Sequence, residues 1–313
     1  MRTISPVSID GQGRPRRGRC RRTTTALLAL VFLLTIGCHS FNLLFPERQK
    51  TEEKVAETGP AVRPQADAPC KYSLYIRPYV FLSDFEIQRD LPLFRELEGL
   101  RDQVSRELQL PPGNEVIQVY LFRDRPSYKE FMLKHHRNLP DRRAFFILKQ
   151  SSMGGSDLIV YAYQDTRIQQ DLRHELTHAL LHSVLKDVPI WLDEGLAEYF
   201  ELPRENHGIN RDHVDNLRRP EVPIKYDLAR LEAIQEVKDM NGAEYREAWA
   251  WAHFLLHGPP EARTILLGYL AQLRHDAHPP PLTPQLQQVF ASLDDVMHKH
   301  IAQLDHPAQA SRR

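Results

Sequence analysis

Residues 167 to 200 constrain this chain more than any other stretch. They read RIQQDLRHELTHALLHSVLKDVPIWLDEGLAEYF. His174 and His178 are four residues apart in an amphipathic run, so on a helix they lie one above the other on the same face. Two imidazoles in that relation can take adjacent positions around one tetrahedral metal ion. Glu175 follows the first histidine by about 100° of helix, beside the ion rather than on it. A carboxylate there can take a proton from a water acidified by the metal and pass it to a leaving amine. The chain has 15 His among 313 residues, so the H-E-x-x-H pattern needs its context before it counts.

The context is the second half of the stretch. A short loop, Lys186 to Val188, precedes Pro189, a residue suited to the first turn of a helix. The helix that follows is apolar apart from Asp193, Glu194 and Glu198. Glu194 and Glu198 are again four apart and share a face. Burying carboxylates in such a helix is costly unless they are paired or ligated. A catalytic zinc site needs a third protein ligand and an open fourth position. Asp171 is too close along its own helix to reach round the ion, which leaves Asp193, Glu194 and Glu198 as candidates. His182 continues the four-residue series but is too far along to reach the same ion, and reads as surface or as a helix-end charge.

HELTHALL followed by PIWLDEGLAEYF resembles the gluzincin metallopeptidases, and within them the small bacterial peptidase-MA-like proteins. The resemblance is concentrated in residues 165 to 202. It implies a zincin-like fold and one Zn2+ held by His174, His178 and the Glu before Gly, here Glu194. It also implies Glu175 as general base and Glu198 as the acid that some members use to orient a ligand histidine. A tyrosine or histidine that stabilises the transition state is common in this clan; Tyr245 and His253 are both candidates.

Around this stretch the pattern predicts an α+β domain, with strands first and helices later. KYSLYIRPYVFL alternates and reads as a strand, and LFRELEGLRDQVSRELQL has helical spacing and stops at Pro111-Pro112-Gly113. EVIQVYLF and RAFFILKQ read as strands flanking a short helix at SYKEFMLKHH. DLIVYAY, 157 to 163, is apolar without alternation, as expected of a strand covered on both faces; it is also a candidate edge strand for a bound peptide. Thr166 and Gln169 have the form of a capping box for the active-region helix, expected to run to about Leu185. Beyond a polar loop after residue 202, helices are expected at 227 to 236, 244 to 257, 261 to 274 and 284 to 302. The tryptophans Trp191, Trp249 and Trp251 read as core.

The N-terminal segment differs in composition. Residues 26 to 36, ALLALVFLLTI, follow an Arg-rich flank and end at Gly37-Cys38. Eleven apolar residues suit a signal-peptide core better than a spanning helix. The T-I-G-C ending resembles a bacterial lipobox, with Thr35 where Leu is usual. Lipidation at Cys38, an uncleaved anchor running to Phe45 and ordinary secretion all place the domain outside the cytoplasm. The expected order is a leader at 1–38, a disordered tether at 39–69, a metallopeptidase domain at 70–304 and a tail at 305–313. The tether would span about 25–30 Å as a flexible coil.

Charge and cysteine usage exclude other classes. The formal net charge is zero, but residues 1 to 22 hold seven Arg and one acid. Without them 34 basic and 40 acidic side chains remain, a net charge of −6, so nucleic acid is not an expected partner. Of Cys20, Cys38 and Cys70 only Cys70 falls in the domain, which excludes a disulfide framework or a cysteine zinc cluster. The expected function is therefore a zinc peptidase of the cell envelope acting on peptides or proteins. The alternatives are a non-catalytic envelope protein stapled by zinc and a zinc amidase acting on a non-peptide or cell-wall amide.

Overall fold

The computed structural model describes residues 59–60, 62–150, 155–219 and 224–304. The leader, most of the tether and the tail lie outside them, and no helix among the described residues is long and apolar enough to cross a membrane.

The domain is α+β: a five-stranded mixed sheet followed by a largely helical C-terminal part. β1 (Tyr72–Ile76) and β2 (Tyr79–Ser83) form an antiparallel hairpin. The sequence reading took this stretch as one strand. Arg77-Pro78 breaks it, because proline lacks the N–H a ladder needs. α1 (Pro92–Glu107) then leads to β3 (Ile117–Phe122), parallel to β2. α2 (Arg125–His135) precedes β4 (Ala144–Gln150) and β5 (Ser156–Tyr163). The strand order is β1-β2-β3-β5-β4. β5 is parallel to β3 and antiparallel to β4, so β4 is an edge and β5 is interior. The edge beside the active-region helix is thus RAFFILKQ rather than DLIVYAY.

The central strands alternate between two cores, as a pleat buried on both faces must. Phe81, Val119 and Val160 join one cluster with α1 and the later helices. Leu82, Tyr120 and Tyr161 join the other with α2. Residues at the end of the expected tether also belong to the second side. Ala68 is buried there, Val62 packs against it, and Gln65 bonds to the hydroxyls of Tyr120 and Tyr161. The fixed chain therefore begins upstream of Cys70. The Gln65 backbone N–H donates to the Tyr120 hydroxyl and its side-chain oxygen accepts from Tyr161, so this otherwise polar segment satisfies two phenols.

α3 (Ile168–His182) and α4 (Ile190–Phe200) follow the sheet. No side chain forms the expected Thr166 cap on α3; Asp165 Oδ1 instead accepts from Arg167 N–H at 2.8 Å. The polar loop after residue 202 contains a helix missed in the sequence, α5 (Arg211–Leu217), capped by Asn210. α6 (Leu228–Glu232), α7 (Gly242–His257) and α8 (Pro260–Leu273) come next. The last expected helix is two, α9 (Leu282–Gln287) and α10 (Leu293–Gln303), with Ser292 capping the second.

Two devices hold α3 and α4 against the rest. Arg173 is buried and donates to the carbonyls of Phe200 and Leu202 and to Gln103 on α1, with Glu96 as ion-pair partner. Gly195 brings α4 close to α7. A Cβ at Gly195 would sit 2.8 Å from the Ala248 carbonyl carbon, 3.3 Å from Ala252 Cβ, and closer still to the Ala248 oxygen. Trp191, Trp249 and Trp251 are fully buried in the core around this contact.

Candidate metal centre

His174, His178 and Glu194 converge between α3 and α4. Their donor atoms all lie within 4.8 Å of one another. Glu194 Oε2 is 3.5 Å from His174 Nε2 and 3.7 Å from His178 Nε2. Two ligands at 2.0–2.1 Å on a tetrahedral ion are about 3.3–3.4 Å apart. The group is therefore near the dimensions that zinc requires.

The other ring nitrogens are also held. His174 Nδ1 bonds to Glu201 Oε2 at 3.0 Å. His178 Nδ1 lies 3.0 Å from Asp193 Oδ1. An ionised carboxylate can only accept, so His174 donates from Nδ1 to Glu201, while Asp193 is the ion-pair neighbour of His178 Nδ1. Metal-binding imidazoles commonly have such a carboxylate behind them. Glu194 Oε2 is buried and has no hydrogen-bond partner. A buried carboxylate oxygen without a hydrogen-bond partner is unsatisfied as it stands, at a cost on the order of several kcal/mol. A cation at the centre of the three atoms removes that cost. The donor set, two imidazoles and a carboxylate, fits a divalent ion of the zinc type.

The carboxylates around the two imidazoles favour positive charge at this point. Burial would depress His174, but the carboxylates of Glu194 and Glu201 beside it outweigh burial and raise its pKa well above the ordinary value. Burial is likewise outweighed at His178, where Asp193 lifts the pKa to about 8. Asp193 is held far below the usual carboxylate range, its burial offset by His178 and His182.

Glu175 faces the same space. Its Oε2 accepts from the Phe146 N–H of the edge strand β4 at 2.6 Å. Burial raises its pKa, against the pull of His174 and His178. A carboxylate raised toward neutrality can both take and return a proton. The Phe146 ring stacks against His178 and His182, so β4 and α3 are fixed to one another at the site.

Two placements differ from expectation. Glu198 accepts from His213 Nε2 at 2.8 Å, not from either imidazole of the H-E-x-x-H pair. It stands beside the site, close to His174 and Glu201. The acids on the imidazoles are Glu201 and Asp193. Glu201 continues the 194, 198 series by a further turn of α4, which is the signal that could have found it. His182 is not a surface residue: its Nε2 bonds to Asp193 Oδ2 at 2.9 Å, so one carboxylate spans two histidines of α3. Of the two transition-state candidates, Tyr245 lines the cleft and accepts from Arg142 Nη2 at 2.9 Å. His253 is buried behind α4, packed on Tyr199 and Trp249 and bonded to His300.

The cleft over the site holds about 600 Å³. Its walls come from the start of β4, from α3, α4 and α5, and from the N-terminal turn of α7. Residues 169–276, which contain the whole centre, match a family described as a protein of unknown function, DUF1570. No curated protein matches the chain.

Proposed function

We propose that this chain is a zinc-dependent peptidase of the gluzincin type that works outside the cytoplasm, tethered at the membrane through its N-terminal segment. The observation that supports the reading is the orphaned Glu194 Oε2, buried beside the two Nε2 atoms of His174 and His178, whose other ring nitrogens lie 3.0 Å from Glu201 and Asp193. His174, His178 and Glu194 would hold the ion. Bound there, it would supply Lewis acidity, polarising a carbonyl and acidifying a water. Glu175 takes the proton from the water and delivers it to the leaving amine, and its contact with Phe146 N–H fixes its orientation for both transfers. The Tyr245 hydroxyl, on the opposite wall, is the donor available to charge that develops on the carbonyl oxygen. β4 is the last strand of the sheet among the described residues, and beyond the Phe146 N–H held by Glu175 its outer backbone groups can pair with an extended peptide.

The test is Glu175→Gln in the metal-loaded protein, assayed on casein and on a peptide library. The variant is expected to keep its metal and lose hydrolysis. Full activity in the variant overturns the mechanism. Stoichiometric metal in a wild-type protein that cleaves no library member supports the zinc-stapled binding protein instead.

A further inference from the structure

The cleft contains charge that the proposed chemistry does not use. Its carboxylates are almost all committed. Glu201 serves His174 and Gln170, Glu198 serves His213, and Asp171 is paired with Arg143. Asp212 on α5 is the acid left at the outer wall. On the wall formed by the start of β4 and by α7, the balance is reversed. Arg142 is exposed to the cleft, and its bond goes to the neutral Tyr245 hydroxyl rather than to a carboxylate. Arg246, half-buried on the next position of α7, makes no hydrogen bond or ion pair among the described residues. Its guanidinium lies back along the helix, 3.4 Å from where a Cβ on Gly242 would be. Among the described residues, two guanidinium groups without acid partners thus line the cleft with Tyr245, one bonded to its hydroxyl and one on the next residue of α7.

Arginine presents a planar fork of donors that matches a carboxylate. Other arginines are held by acids, as Arg143 is by Asp165 and Asp171, or by backbone carbonyls, as Arg218 and Arg263 are. Arg142, bonded only to a hydroxyl, and Arg246, with no bond among the described residues, keep donors available to a substrate in the same concavity as the candidate centre. Resting on the reading of this cleft as a peptidase site, we infer that Arg142 and Arg246 select peptides carrying a carboxylate close to the scissile bond, as an acidic side chain or as a free C-terminus. Both sources present the same planar anion, and a peptide amidated at its C-terminus separates them.

The experiment uses the full chain carrying Glu175→Gln, loaded with zinc, and fluorescence anisotropy of labelled alanine-based peptides. One peptide bears glutamates, a second bears glutamines at the same positions, and each is made with a free or an amidated C-terminus. A carboxylate-bearing peptide is expected to bind about tenfold to a hundredfold tighter than its neutral counterpart, the range of a charge-assisted contact. The preference should shrink as salt rises. Adding Arg142→Gln or Arg246→Gln should reduce it, Arg246→Glu should abolish it, and Arg246→Lys should keep part of it. Equal affinity for all four peptides overturns the inference, as does a preference untouched by both Gln variants. Wild-type protein assayed in parallel keeps the two levels apart. Hydrolysis without acid preference removes this inference and leaves the peptidase reading; acid-selective binding without hydrolysis does the reverse.

Discussion

Gly195→Ala should damage the site without touching a ligand. The methyl group would enter at 2.8 Å from the Ala248 carbonyl carbon and 3.3 Å from Ala252 Cβ. Ordinary contacts begin near 3.4 Å, so α4 and α7 must part by about 0.6 Å or more. Neither neighbour is a flexible side-chain tip that could swing away. Overpacking of this kind costs about 1–3 kcal/mol, and replacing a helical glycine by alanine returns about 1 kcal/mol. The backbone obstacle places the steric cost at the upper end, for a net loss of about 2 kcal/mol. In a domain of this size that lowers Tm by about 4–8 °C. Because Glu194 is the preceding residue, the same displacement moves a candidate ligand, and metal affinity should fall by about tenfold. Differential scanning fluorimetry reads the first effect and competition with a chromogenic chelator the second. Gly99→Ala is the control: it lies on an exposed face of α1 with nothing near its Cβ, and should raise stability by about 0.5–1 kcal/mol. If Gly195→Ala behaves like Gly99→Ala, the close approach of α4 to α7 does not set the site.

Other consequences can be measured separately. Glu201→Gln and Asp193→Asn replace the carboxylates beside His174 and His178 by neutral amides, and each should weaken zinc binding by about 10- to 100-fold, read by chelator competition; unchanged affinity would contradict a role for these charges behind the imidazoles. Tyr245→Phe should lower kcat by about a hundredfold with little change in KM, as loss of one donor to a developing oxyanion does; an effect on KM alone would assign it to substrate binding. His253 and His300 are bonded to one another, and burial holds both below the ordinary imidazole value, His300 at about 4. Below pH 6.5 the unfolded chain takes protons that the folded chain refuses, so stability present at neutral pH is lost as pH falls from about 6.5 toward 4. His300 accounts for at most about 3 kcal/mol of this loss. Denaturant titrations at several pH values should show the slope, and His300→Leu should flatten it; an equal slope in the variant refutes the assignment.

Much of the architecture could be read from periodicity. The unalternating run DLIVYAY is interior because both faces are covered, and α3, α4, α7 and α8 lie close to their expected positions. The errors have local causes. The β1–β2 hairpin hides in one apolar run, broken only by Arg77-Pro78. α5 is short and polar, held by its Asn210 cap and two buried side chains, Val214 and Leu217. Within the site, spacing paired His174 with His178 and left Asp193, Glu194 and Glu198 open as the third ligand; the family resemblance pointed to Glu194, which the structure groups with the two histidines. Spacing could not choose among the acids of α4 for the imidazole Nδ1 atoms, because that depends on how α4 is rotated against α3. The close approach at Gly195 and the anchor at Arg173 fix that rotation, and both depend on residues far away in the chain.

The most direct test of the account is the metal content of the purified protein by mass spectrometry, in wild type and in Glu194→Ala. The account predicts one zinc per wild-type chain after incubation with zinc and gel filtration, and a loss of about half or more of it in the variant, since a three-ligand catalytic site does not survive on two imidazoles. Absence of bound metal in the folded wild type, or full stoichiometry retained in Glu194→Ala, would contradict it.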